Sequence, residues 1–260
     1  MKKLFLGSLF ALCTLLMTSC LDGGSNQNSG QTYGVIEYVN GKMLVNVGGG
    51  TYFYSPTIAA DFSVNEGDCC FFDFVLDYDL AENADVATTG YYTVTTSYYS
   101  LIDNYYTSSS LRDTANIDPQ ELVVQKIESL SSYSTIWPMI DKNMFLVTYH
   151  EGILKGQTQR FDLSFDANQE PEVVNGENVY NLFLRVTKET EGTSPSQSGG
   201  IVNAFNLNSF LYTIGTKVQS AGKTNVKFKI NYISSLNDDN TKAEWSSSDV
   251  ATYTFPTEEE

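Results

Sequence analysis

The chain has 260 residues, 42% hydrophobic and 13% aromatic, enough to bury a substantial core, which excludes disorder throughout. Acidic residues outnumber basic ones 31 to 15, for a net charge of −16. That balance excludes nucleic acid as a partner, because its phosphates demand clustered Lys and Arg. The single histidine, His150, excludes a metal site built from several imidazoles.

Residues 1–19 read as a signal peptide. Lys2 and Lys3 form a positive start, and Leu4–Met17 is an apolar run shorter than the roughly 20 residues that span a bilayer. Thr18-Ser19-Cys20 resembles the lipobox of bacterial lipoproteins, although Met17 stands where Leu is commoner. The resemblance implies cleavage before Cys20, lipidation of that residue, and membrane attachment through the lipid anchor. Cleavage removes nineteen residues and two lysines, leaving 241 residues with a net charge of −18. Residues 20–32, CLDGGSNQNSGQT, lack hydrophobic periodicity and are expected as a flexible tether. The expected location is the bacterial cell envelope, at the outer membrane. One acid, Asp22, follows Cys20 closely, which leaves the periplasmic and cell-surface faces both open.

Residues 33–106 are expected to form a small OB-like barrel of about five strands. Asn40-Gly41 between two strand-like runs is a hairpin signal. Phe72, Phe74, Leu76, Tyr78 and Leu80 alternate with Asp73, Asp77 and Asp79. Cys69 and Cys70 point to opposite faces of a strand, which favours two free thiols over a strained vicinal disulfide. Asp77, Asp79, Glu82 and Asp85 offer carboxylates to a small hydrolase or to calcium, but a solvated outer face explains them more simply. Tyrosines come in pairs at 91–92, 98–99 and 105–106. Tyr91 and Tyr99 share a parity with Thr93, Thr95 and Ser97, which marks them as candidates for ligand binding. Aromatic cross-strand pairs that stiffen the barrel are the alternative reading.

Residues 107–119 are polar and read as a linker. Within it, Asp113-Thr114-Ala115 resembles an acceptor of periplasmic O-glycosylation at Thr114. Residues 120–256 are expected as an antiparallel β-sandwich, followed by an acidic tail at 257–260. Phe161, Leu163 and Phe165 alternate with polar neighbours. Tyr180, Leu182, Leu184 and Val186 do so against Asn181, Phe183, Arg185 and Thr187, and Val226, Phe228, Ile230 and Tyr232 follow the same pattern. Asp118-Pro119-Gln120-Glu121 looks like a helix start, and Ser209–Ile214 like a short helical turn. His150 is expected to be exposed at a strand end, without a catalytic role. Gly215 and Gly222 enclose six residues where a phosphate loop needs four, so no nucleotide is expected. The fold class is all-β with at most one or two short helices. No catalytic residue, metal or cofactor is expected.

This layout resembles the NigD-like lipoprotein family. The stretches that carry the resemblance are YGVIEYVNGKMLVNVGGGTYFY, Gly67-Asp68, GYYTVTTSYYSLIDNYY, NVYNLFLRV and AFNLNSFL. The resemblance implies a cell-envelope lipoprotein, and the family name hints at immunity or envelope interaction. The expected function is a non-enzymatic module that binds a protein or glycan partner. A pilus-like assembly subunit with an open edge strand is the alternative.

Overall fold

The computed structural model describes residues 26–130, 138–193 and 199–256, which fall into two compact units divided between Leu101 and Ile102. Residues 1–19, expected as a signal peptide, Cys20 and the acidic tail at 257–260 lie outside the described residues.

The N-terminal unit contains β1 (Gln27–Val39), β2 (Lys42–Asn46), β3 (Tyr52–Tyr54), β4 (Cys69–Asp77), β5 (Tyr92–Thr93) and β6 (Tyr99–Ile102), in the order β5-β3-β2-β1-β4-β6. β1 and β2 join through Asn40 and Gly41 at φ 52° and 77°, the twist a two-residue hairpin needs. β1 changes partner midway, pairing with β4 over Gln27–Val35 and with β2 over Val35–Val39. Gly34 stands at the changeover. A Cβ there would lie 2.2 Å from Val45 Cγ1, so the close crossing requires glycine. Residues 94–98 close the sheet on itself. Val94 N donates to Tyr54 O of β3 at 2.9 Å, and Thr95 N donates to Val75 O of β4 at 3.0 Å. Ile36, Val45, Phe53, Cys70, Phe72, Phe74, Leu76 and Val94 fill the interior, matching the predicted alternation along β4. α1 (Pro56–Ala59) starts on Ser55, whose hydroxyl accepts from Ile58 N at 3.3 Å, with Pro56 in the first turn. α2 (Val86–Thr89) ends on Gly90 in the left-handed region.

β1 corrects the expected tether. Gln27–Thr32 pair with Asp77–Phe72 of β4, so the barrel begins at Gln27 and not at Tyr33. Their polar side chains hid this, because the backbone ladder holds them and no apolar face is needed.

The C-terminal unit holds two sheets. One contains β7 (Asn104–Tyr106), β8 (Lys126–Ser129), β9 (Met139–Ile140), β10 (Asn143–His150) and β14 (Gly199–Asn206). The other contains β11 (Thr158–Ser164), β12 (Glu172–Val174), β13 (Glu177–Thr190), β15 (Asn225–Leu236), β16 (Ala243–Ser247) and β17 (Ala251–Thr254). Met144, Leu146 and Phe205 from the first sheet meet Phe161, Leu163, Leu182, Leu184, Phe228 and Ile230 from the second. The sandwich is antiparallel except for two pairs, β7–β14 and β13–β15, which run parallel. A helical segment runs from Asn208–Phe210 through a π turn at Leu211–Gly215 to Thr216–Ser220, covering the predicted turn at Ser209–Ile214. Its Phe210 packs between Phe165 and Phe228.

Residues 107–119 are not a free linker. Ser108 bridges to Ser164, Thr107 is buried, and Arg112 pairs with Asp118 at 3.3 Å and also with Asp162. No helix follows Asp118. Its carboxylate accepts from Gln120 N at 2.9 Å, as a capping acid would. But Leu122 N then donates to Val186 O and Val124 N to Ile233 O, and the strand-forming residues join the sheet.

Candidate functional site

The barrel face opposite the core brings together β1, β4 and residues 95–98. Partners across the ladder share a face, so Ser29 stands beside Val75 and Gln31 beside Asp73. Thr95 continues the row. These side chains and Ser97 line a cleft of about 280 Å³. On the same face, the next pair along is Tyr33 and Phe71, with ring centroids 5.0 Å apart.

Asp73 organises the cleft wall. It accepts from Ser97 N at 2.7 Å, from Tyr98 N at 2.9 Å, and from the Ser97 hydroxyl. Partial burial would raise its pKa, but these hydrogen bonds outweigh burial and hold the carboxyl below its ordinary value. The bend they fix at Ser97 turns Tyr98 outward, leaving it 55% exposed. Tyr99 turns the other way and donates its hydroxyl to Asp61. That bond lowers the Asp61 pKa, helped by Ser63 N at 2.8 Å and Ser63 Oγ at 2.7 Å. With Asp61 and Ser63 tied down, Phe62 between them stands in solvent at 102% relative exposure. Thr57 Oγ1 adds a bond to Thr96 O at 3.1 Å. Two exposed aromatics thus flank one internal bond: Phe62 is the chain neighbour of Asp61, and Tyr98 is that of Tyr99.

The face predicted for Tyr91 and Tyr99 does not form. Residues 94–98 are not a continuous strand, so the parity that linked the two tyrosines is broken. Tyr91 precedes β5, which pairs with β3, and Tyr99 lies in β6, which pairs with β4. Tyr91 is half-buried, and its hydroxyl accepts from Lys42 Nζ at 2.5 Å. That ammonium sits 4.0 Å from the Tyr54 ring centre and 4.4 Å from that of Tyr91, a cation–π arrangement internal to the chain. The sequence carried no signal for Phe62. Exposure of Tyr98 was concealed by the bend that Asp73 imposes.

The other predicted positions are used internally. Asp77 accepts from Gln27 Nε2 at 2.8 Å and from Asp79 N at 2.9 Å, while Asp79 accepts from Asn26 Nδ2 at 3.0 Å. Among the described residues no group of three or more His, Cys, Asp or Glu side chains is placed to hold a metal. Cys69 and Cys70 are free and fully buried, and burial pushes both thiols up to about 12. Thr114 lies half-buried in a loop where Asp113 accepts from Ala115 N at 2.8 Å. His150 is buried at 2% exposure, not exposed as expected. Nδ1 is 3.0 Å from Val123 O and Nε2 3.0 Å from Thr148 Oγ1, and its ring meets Phe161 edge-on. It faces the core because it keeps the parity of Met144 and Leu146 along β10.

Residues 24–100 match a family model described as the lipoprotein OB domain. The expected resemblance to envelope lipoproteins with an OB-like first domain is borne out by that match. No curated protein matches the chain. Among solved structures, an uncharacterized protein from Parabacteroides merdae ATCC 43184 is 28% identical, with a TM-score of 0.76 over 87% of this chain and 99% of that one. A candidate lipoprotein from Bacteroides fragilis NCTC 9343 shares the fold at 14% identity and a TM-score of 0.59, covering 89% of this chain and 100% of that one. A NigD-like immunity protein from Bacteroides caccae ATCC 43185 also matches, at 10% identity and a TM-score of 0.44 over 83% of this chain and 90% of that one.

Proposed function

We propose that the protein is a non-enzymatic lipoprotein, anchored through Cys20 in the outer membrane, that binds a protein or glycan partner on the outer face of its OB domain. The observation that carries this reading is the exposure of two large aromatics, Tyr98 next to Ser97 of the cleft and Phe62 next to Asp61, the partner of Tyr99. An aromatic ring held in water gains most from burial against a partner, and fixing it beforehand lowers the entropy that binding must overcome. Asp73 and the Asp61–Tyr99 bond do that fixing here. The acids around Asp77 favour binding over hydrolysis, since both oxygens of Asp77 and one of Asp79 are spent on the chain itself.

The test is retention of envelope proteins and envelope glycans, assayed separately, on the immobilised mature chain. The double change Phe62→Ala and Tyr98→Ala is expected to abolish retention. Tyr99→Ala is expected to weaken it by freeing Asp61, and Tyr91→Ala to leave it unchanged. Retention indifferent to Phe62 and Tyr98 would remove the proposed face, and the partner fraction lost with them identifies the partner as protein or glycan.

A further inference from the structure

We infer that the turn Asp77–Leu80, at the end of the OB barrel where β1 begins, rests on the surface of the lipid bilayer; this builds on lipidation of Cys20 as proposed above. The chain leaves the barrel at a fixed point. Tyr78 N donates to Asn26 O at 3.0 Å, Asn26 Nδ2 donates to Asp79 Oδ1 at 3.0 Å, and Gln27 Nε2 donates to Asp77 Oδ2 at 2.8 Å. Five residues separate Cys20 from Asn26. Whatever their conformation, six Cα steps reach no further than about 20 Å. A tether running to Thr32 would reach about twice that. The acyl chains therefore hold this end of the barrel beside the membrane.

The side chains at that end suit the location. The alternation that sends Phe72, Phe74 and Leu76 into the barrel continues past the strand end to Tyr78 and Leu80. These two lie beyond the barrel wall and are 42% and 39% exposed. Tyr78 retains one edge contact with Tyr92, at 6.1 Å between ring centres. A Tyr and a Leu beside backbone polar groups fit the headgroup boundary, where an apolar body and a polar tip are both satisfied. Asp77 and Asp79 stand in this turn, with Glu82 and Asp85 next along the chain, and such carboxylates repel an anionic surface, so the bilayer met is zwitterionic.

The experiment uses the full chain purified from membranes, its acyl chains confirmed by intact mass, and reconstituted into phosphatidylcholine vesicles carrying a headgroup nitroxide lipid. A fluorophore is attached at Leu80→Cys or, as the far-end control, at Tyr38→Cys near the other end of β1. Cys69 and Cys70 are buried and stay unlabelled. Quenching is expected to be several-fold stronger at position 80 than at position 38. Equal quenching on acylated protein would overturn the docked turn while the anchor stands. A mass without acyl chains would overturn the anchor itself, and this inference with it.

Discussion

Arg185 and Glu121 form an ion pair sealed inside the C-terminal unit, with Arg185 Nε 2.8 Å from Glu121 Oε1 and Nη2 2.5 Å from Oε2, the two side chains being 2% and 1% exposed. Two further donors of Arg185 go to Asp113 O at 2.6 Å and Asn116 O at 3.2 Å. One guanidinium thereby pins the loop at 113–116 onto β13. Hydrogen bonding to Glu121 holds the Arg185 pKa above its ordinary value.

Removing one partner strands a charge away from water. Glu121→Ala is expected to destabilise the C-terminal unit by about 3–5 kcal/mol, and replacing both residues with apolar side chains of similar volume is expected to cost far less. Urea unfolding of the two variants measures the difference. Equal losses would mean that desolvation of Arg185 is not what the pair offsets.

His150 sets a pH dependence. Burial lowers its pKa below the ordinary 6.5, with the Val123 carbonyl opposing. The unfolded chain therefore binds the proton more readily than the folded one, and stability rises with pH through that range. The contribution is present above about pH 6.5 and is lost as the pH falls below it. The urea midpoint is expected to drop between pH 7.5 and 5.5 in the natural protein, and to stay flat in His150→Gln. A His150→Gln profile that still slopes over that window would assign the effect elsewhere.

Gly34 allows β1 to serve two partners. Gly34→Ala drives a methyl into Val45 and is expected to cost the N-terminal unit roughly 1–3 kcal/mol, through strain and not through lost burial. Val45→Ala in the same background is expected to recover part of that loss. Thermal unfolding of the single and double variants reads it out, and additive losses would contradict the clash.

The thiols of Cys69 and Cys70, pushed up to about 12 by burial, are expected not to react with iodoacetamide at pH 8 in the folded protein and to react fully in denaturant. Mass spectrometry counts the adducts. Rapid labelling of the native chain would show that β4 opens readily.

Much of the fold was legible because it is written in apolar alternation. Phe72, Phe74 and Leu76, Phe161 and Leu163, and Val226, Phe228 and Ile230 all face the cores that their parity assigned. Asn40-Gly41 likewise has the backbone that its residue types demand. Legibility failed where one strand is covered on both faces. Arg185 and Thr187 alternate with core residues and read as solvent-facing, yet both are buried. The segment folding over them is the polar stretch at 107–122, whose attachments are isolated backbone bridges and side-chain bonds without a period. Phe183 on that same face was the available clue. The candidate site was less legible still. Phe62 and Tyr98 owe their exposure to bonds made by Asp61 and Asp73. The Asp61–Ser63 bonds are local, but the partners Tyr99, Ser97 and Tyr98 lie many residues away. Nothing local in the sequence encodes such pairings.

The proposed membrane attachment depends on lipidation of Cys20. The most direct measurement is the intact mass of the protein recovered from its own cell envelope. The predicted mass is that of a chain beginning at Cys20 and carrying acyl groups. A chain that retains residues 1–19 with an unmodified Cys20 would contradict it.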